Sequence, residues 1–387
     1  MGTAPASTPL RARVASLHEA RGLDAWRTSL EHLAKDARYY EVVADTLRHE
    51  FDCRCILVED DAGAAQSAWP CFLVEQDLVA TAPPILRALI ARLRRIWPRL
   101  LRLRMLMIGC AAGEGALPAR NSAASPEALR IVSKAALQFA RDSGGWLVVW
   151  KDFPARQRVP MTPLLERFER VPSMPATRLP LGYSDFDEYL ARRLSHASRK
   201  SLRRKLRGSG DAKLLRMTVT SRVDDVIEEV HALYLEVFDR SKLRFEKLSK
   251  AFLLGLAERM PDRVRFFLWH RDHQLVACSI CFVHDGVLYD EYLGLDYRVA
   301  LDLHLYFVTF RDVLSWALAQ GLHTYASTPL NYEPKLRLGF DLAPLDLYVA
   351  TTAPAWQPGL RWILPWISPT RGEPLLRRFR NAAELEA

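Results

Sequence analysis

Between residues 223 and 350 two hydrophobic periods alternate, and few architectures accept that alternation. Val223, Val226, Ile227, Val230, Leu233, Tyr234, Val237 and Phe238 recur at helical spacing, and residues 248–259 read as a second helix. Short apolar runs follow at 264–269, 274–283 and 287–295. The last two flank His284-Asp285-Gly286, and Asp-Gly between strands is a strong hairpin signal. Residues 300–320 are almost all apolar, which predicts a buried helix stopped at Gly321. A strand over 322–327, a short helix over 332–338 and a strand over 345–350 complete the pattern. This order specifies an α/β (α+β mixed sheet) unit.

The first half carries a looser version of the same order. Residues 30–50 predict a helix, 53–59 and 68–79 strands, 84–101 a basic amphipathic helix, and 104–110 a strand. A small-residue loop, Gly109-Cys110-Ala111-Ala112-Gly113-Glu114-Gly115, comes next. Pro126 and Glu127 sign the start of a helix over 125–143, which ends at Gly144-Gly145 before an apolar strand over 146–150. Val171-Pro172-Ser173-Met174-Pro175 leads into an extended piece over 176–181, and 185–207 is helical by pattern. The expected division is a flexible lead-in over 1–30, modules over 31–180 and 181–352, and a tail over 353–387.

A chain of 387 residues that is 49% hydrophobic has core enough for two domains. No stretch approaches the roughly 18 apolar residues of a membrane span, and the N-terminus shows no secretory apolar region. Cys278 and Cys281 stand in an apolar strand at an odd spacing, so their thiols face opposite sides and cannot share a metal. No metal is expected, and the cysteines read as core residues of a reducing, cytoplasmic compartment. The net charge is +9. Residues 181–387 hold net +3, yet Arg192 to Arg207 alone hold +8 with no acid, so the remainder is −5. One short segment is a strong positive field.

Three motifs now carry a resemblance. Tyr183-Ser184-Asp185-Phe186-Asp187-Glu188-Tyr189-Leu190 precedes a basic Arg199-Lys200-Ser201-Leu202-Arg203-Arg204-Lys205 helix. Asp285 to Gly294 forms the central hairpin, and Tyr332 to Phe340 ends in Lys335-Leu336-Arg337-Leu338-Gly339-Phe340. In this order the motifs resemble GNAT-superfamily acyltransferases, specifically the FemAB-like and BioF2-like acetyltransferase families. The resemblance covers 180–350 well and 35–180 loosely. It implies two tandem GNAT-like acyltransferase modules that move an acyl or aminoacyl group onto an amine. Acyl-CoA is then a candidate co-substrate and aminoacyl-tRNA the other candidate donor. GNAT enzymes that use acyl-CoA usually hold its pyrophosphate on Q/R-x-x-G-x-G/A, whereas here Leu295-Asp296-Tyr297-Arg298-Val299-Ala300 has no glycine. The loop Cys110–Gly115 has G-x-G spacing, but its Glu114 would repel phosphate.

Amine acylation needs a base, a polarised carbonyl and a proton for the leaving group. Asp290, Glu291 and Tyr292 interrupt a strand that should be buried, with Asp290 and Tyr292 expected on one face and Glu291 on the other. His304, expected in the first turn of the buried helix, and Tyr332 are further catalytic candidates. Tyr325 and Ser327 alternate on the strand before the short helix, and Lys335 and Arg337 lie on that helix as binding candidates. Arg199 and Arg203 fall on one side of the basic helix, suited to an anionic donor. The site is expected in the C-terminal module or the inter-module cleft. An alternative is a non-catalytic GNAT-fold protein that binds RNA or anionic lipid through 192–207. A third reading is a partner subunit docking through the Trp362/Trp366 tail, which could also rest on a membrane.

Overall fold

The computed structural model describes residues 10–77, 84–97, 102–118, 125–208, 215–241 and 246–385. In chain order the elements are β1 (Arg11–Ser16), α1 (Leu17–Ala20), α2 (Asp24–Leu30), α3 (Ala37–Thr46), β2 (Asp52–Glu59), β3 (Ala65–Asp77), α4 (Pro84–Leu93), β4 (Arg102–Ile108), α5 (Pro126–Asp142), β5 (Leu147–Pro154) and β6 (Glu169–Pro172). Then come β7 (Ala176–Pro180), α6 (Phe186–Arg193), α7 (His196–Gly208), β8 (Leu215–Thr220), α8 (Ile227–Arg240), α9 (Lys250–Arg259), β9 (Val264–Arg271), β10 (Gln274–His284) and β11 (Val287–Leu295). The chain closes with α10 (Leu305–Ala319), β12 (Thr324–Ser327), α11 (Tyr332–Arg337), β13 (Asp341–Ala343), β14 (Leu345–Thr351) and α12 (Gln357–Ile367).

These elements make two mixed seven-stranded sheets among the described residues, ordered β1-β2-β3-β4-β5-β14-β6 and β13-β7-β12-β11-β10-β9-β8. The α/β class with a mixed sheet in each half is therefore correct. The boundaries are not the expected ones. The first unit holds residues 1–173 and 345–371, the second 174–344 and 372–387. β6 and β7 are separated only by Ser173, Met174 and Pro175, and β13 and β14 only by Pro344. Neither pair closes as a hairpin. β14 inserts between β5 and β6, and β7 between β12 and β13. Each sheet is thus completed by a strand from the other half of the chain. Local sequence cannot show this, because both strands are short and extended wherever they pair.

Of the expected lead-in, residues 1–9 lie outside the described residues and the rest is folded: β1 pairs with β2, and Trp26 and Leu30 of α2 are buried. The helix expected over 30–50 is interrupted, and α3 starts only where the Asp36 carboxylate accepts the Arg38 N–H. The helix expected over 185–207 breaks at Leu194, because Ser195 caps α7 through the Ser198 N–H. α12 belongs to the first unit. In the second unit Leu376, Phe379 and Leu385 pack on Tyr332 and Leu342. Of the helix expected over 84–101, residues 98–101 lie outside the described residues. No helix among the described residues is long and apolar enough to cross a membrane.

The first core packs Trp69, Trp150 and Phe153 beneath Leu129, Val132, Ala136 and Ala140 of α5. The loop with G-x-G spacing is closed onto it. A Cβ on Gly115 would lie 2.4 Å from the Lys151 carbonyl oxygen and 2.7 Å from the Phe153 ring. The Lys35 ammonium donates to the Ala112 carbonyl across the same loop. These glycines serve close packing rather than an open phosphate cradle.

Inside the first unit β14 is pinned by charge. Asp346 is fully buried and accepts Arg158 Nε at 2.6 Å and Nη2 at 3.1 Å. Removing one partner of such a pair strands the other in a poorly solvating interior. Asp346→Ala should lower unfolding free energy by about 3–5 kcal/mol, read as a shifted urea midpoint. An unchanged midpoint would mean that the ion pair does not hold β14.

Candidate active site

The site lies where β11 and β12 part. Their parallel pairing runs from Val287↔Thr324 to Asp290↔Ser327 and stops, while β11 continues to Leu295. Asp290 is the last paired residue at the opening.

A bulge sets its direction. On β10, Ile280 faces Tyr292 but Cys281 faces Asp290, so Glu291 is the extra residue. Paired residues share a face and neighbours alternate. Asp290 therefore joins Ser279, Cys281 and Tyr325 on one face. Tyr292 turns to the other, where its ring meets Tyr234 of α8 at 6.3 Å, edge-on. The expectation that Asp290 and Tyr292 share a face is corrected by this one inserted residue. Gly294 lets α8 lie against β11, since a Cβ there would sit 2.8 Å from the Tyr234 nitrogen. Cys278 and Cys281 do face opposite sides: the Cys278 thiol reaches the Val230 carbonyl, and the Cys281 thiol lies 3.7 Å from Asp290 Oδ1.

Both oxygens of Asp290 are engaged. Ser279 Oγ donates to Oδ1 at 2.6 Å, and the Tyr325 hydroxyl donates to Oδ2 at 2.7 Å. Burial, then the neighbouring Asp290 charge, push the Tyr325 hydroxyl well above its usual pKa, so it stays protonated. Beside these groups lies a cavity of about 20 Å³, bounded also by Tyr306 and Thr309 of α10 and by Ser327 and Lys335. That is room for about one water, or for a nitrogen of similar size. Tyr306, Thr309 and Phe310 line it from α10 at helical spacing.

Lys335 is buried and donates to the carbonyls of Thr328 and Leu330. It thereby ties down the turn after β12, in which Leu330 and Asn331 hold left-handed backbone, φ 73° and 50°. Burial pulls its ammonium from the ordinary 10.5 down to about 8, against the opposite pull of Asp290 and Glu291.

The remaining candidates are dispersed. His304 has φ 48° and precedes α10 instead of lying in its first turn, because residues 296–304 form turns before the helix. It does not line the cavity. Tyr332 is buried away from it, its hydroxyl donating to the Pro175 carbonyl at 2.7 Å. Arg199 and Arg203 lean on α6, through the Ala191 carbonyl and Asp187. Arg337 pairs with Glu333. The basic residue turned toward α10 is Lys205, whose ammonium lies 3.6 Å from the centre of the Phe307 ring. Burial, then the charges of Arg337 and Arg204, lower its pKa against the opposite pull of Glu333. Sequence reasoning missed Ser279, Thr309, Tyr306 and Lys205. Ser279 had a signal, being the one hydroxyl in the run 275–283.

The turn after β11 is closed by acids. Tyr297 N–H donates to Glu236 at 3.2 Å, and Arg298 N–H to Asp296 Oδ1 at 3.0 Å. The N–H groups of Val299 and Ala300 go to the Asp296 carbonyl. The Arg298 guanidinium holds the buried Asp296 below the usual carboxylate pKa.

Lys335 supplies a pH test. The folded state releases its proton near pH 8, whereas the unfolded chain keeps it until about 10.5. Within that window the unfolded state binds more protons, so stability rises with pH. Urea unfolding across this range should show a smaller rise for Lys335→Met than for wild type. Parallel profiles would remove the assigned shift.

A family model described as an acetyltransferase (GNAT) domain matches residues 196–335. No curated protein matches the chain. The solved structure of FemX is similar at TM-score 0.53 and 11% identity, over 87% of this chain and 97% of that one. The C-terminal domain (DUF2156) of a putative lysylphosphatidylglycerol synthetase from Agrobacterium fabrum gives 0.48 and 11%, over 83% and 96%. A tandem GNAT protein from the clavulanic acid biosynthesis pathway gives 0.48 and 10%, over 89% and 99%. Identities this low speak to fold alone. The matched segment contains Asp290, Tyr325 and Lys335, so the candidate site lies within the stretch, residues 196–335, that matches a GNAT acetyltransferase domain.

Proposed function

We propose that the second unit transfers an acyl or aminoacyl group from an activated donor to an amine, with Asp290 as the general base, in the manner of the FemAB-like branch. The observation that carries this reading is the position of Asp290, half-buried at the end of the β11–β12 pairing with both oxygens oriented by hydroxyl donors. A carboxylate fixed beside a nitrogen-sized space suits proton removal from an attacking amine. The amine nitrogen forms a bond to the acyl carbon, the bond to the donor's sulfur or oxygen breaks, and Asp290 takes the amine proton. That proton balances the one required by the departing thiol or hydroxyl. Ser279 and Tyr325 remain protonated and hold the carboxylate in line. Beyond Asp290, β11 offers a strand edge along which an extended donor can lie.

The donor is either an acyl thioester such as acyl-CoA or an aminoacyl-tRNA. Both carry phosphate, and two carboxylates at the turn after β11 make that turn a poor phosphate seat. Lys205, held over the Phe307 ring of α10, is the better candidate.

Thermal stability measured with CoA, acetyl-CoA, long-chain acyl-CoA, and charged and uncharged tRNA should rise with one donor class. Transfer from that donor to a panel of amines should fall about 10²–10⁴-fold in Asp290→Asn, with the melting temperature retained. Full activity in Asp290→Asn would end its role as base, and no shift and no turnover with any donor would end the reading as a whole.

A further inference from the structure

The helix α4 is out of balance with its surroundings. Of the side chains described between residues 88 and 97, Ile90 alone is buried and Arg94 alone is half-buried. Leu89, Leu93, Ile96 and Trp97 are 53%, 40%, 76% and 66% exposed. Helical hydrogen bonding continues past Leu93, with Arg94 N–H on the Ile90 carbonyl and Trp97 N–H on that of Leu93. The four residues therefore fall at i, i+4, i+7 and i+8, one continuous stripe. An amphipathic helix normally turns such a stripe to its own core. Here the stripe faces outward.

The charge beside it has one sign. From residue 84 to 104 the sequence has seven arginines and no acidic residue. Arg92 and Arg95 are exposed and interleave with the apolar stripe. Nucleic acid would use the arginines but has no use for exposed leucine and isoleucine. A bilayer rich in anionic headgroups uses both, the aliphatic side chains entering the acyl boundary and tryptophan resting at headgroup level.

We propose that α4 is an interfacial helix that lays Leu89, Leu93, Ile96 and Trp97 into the surface of an anionic membrane, with Arg92 and Arg95 on the headgroups. This surface belongs to the first unit and is independent of the acyl-transfer reading.

The full chain is co-sedimented with vesicles of phosphatidylcholine alone and of phosphatidylcholine with phosphatidylglycerol. Binding is expected to the phosphatidylglycerol vesicles and not to the neutral ones, and it should weaken as salt is raised. Arg92→Glu/Arg95→Glu and Leu93→Ser/Trp97→Ser should each bind about tenfold more weakly or worse. Both doubles alter exposed side chains, so the melting temperature is expected to hold. Trp362→Ser, which removes the exposed tryptophan of α12, should bind like wild type. The proposal fails if wild type stays in the supernatant, if both α4 doubles bind as well as wild type, or if the loss follows Trp362→Ser instead. It fails equally if the arginine double loses tRNA retention while vesicle binding is untouched.

Discussion

A single inserted residue governs the second unit. Strict alternation along β11 would send Asp290 and Tyr292 to one face. The bulge at Glu291 separates them, so that Asp290 meets Ser279 and Tyr325 beneath α10 while Tyr292 packs on Tyr234 beneath α8. It falls next to the last rung shared with β12, so the direction of the carboxylate and the opening beside it are set at one place. Bulges re-aim side chains and end pairing, and both effects are used here. Lys335 holds the far side by fixing the carbonyls of the turn that follows β12.

Much of this was legible in the sequence, and the reasons can be traced to particular residues. Asp290, Tyr325, Ser327 and Lys335 bound the cavity together, and each is a polar group set into or next to an apolar pattern. What failed depended on distant partners. The start of α10 depends on the turns around Asp296, which displaced His304. Tyr332 finds its acceptor at Pro175, 157 positions away. The break at Leu194 splits the basic segment, and the side that meets α10 carries Lys205 while Arg199 and Arg203 meet α6. The strand exchange was hidden for the same reason: a strand's composition does not name its neighbour.

Charge in the second unit is sorted by place. Glu236 and Asp296 collect at the turn after β11, and Asp290 and Glu291 at the bulge. On α7 and α11, Lys205 feels the charges of Arg204 and Arg337, and Arg337 is itself paired with Glu333. The +8 of residues 192–207 is thus partly placed against acids, at Glu188, Asp187 and Asp341. Of the others, Arg199 donates to the Ala191 carbonyl of α6, and Lys205 lies over the Phe307 ring of α10.

The position of β14 has a bearing on how the chain is made. Its residues leave the ribosome after every other strand of either sheet, yet the first sheet has a slot between β5 and β6 that only they fill. Until residue 351 emerges, β5 and β6 lack the strand that joins them, and the half-buried Arg158 lacks Asp346. An amino-terminal half released early would expose two open strand edges, the surfaces through which nascent chains pair wrongly. β7, by contrast, is made before the rest of its sheet and waits as a template for β12 and β13. β14 follows every strand of the second sheet, so the two halves cannot mature one after the other.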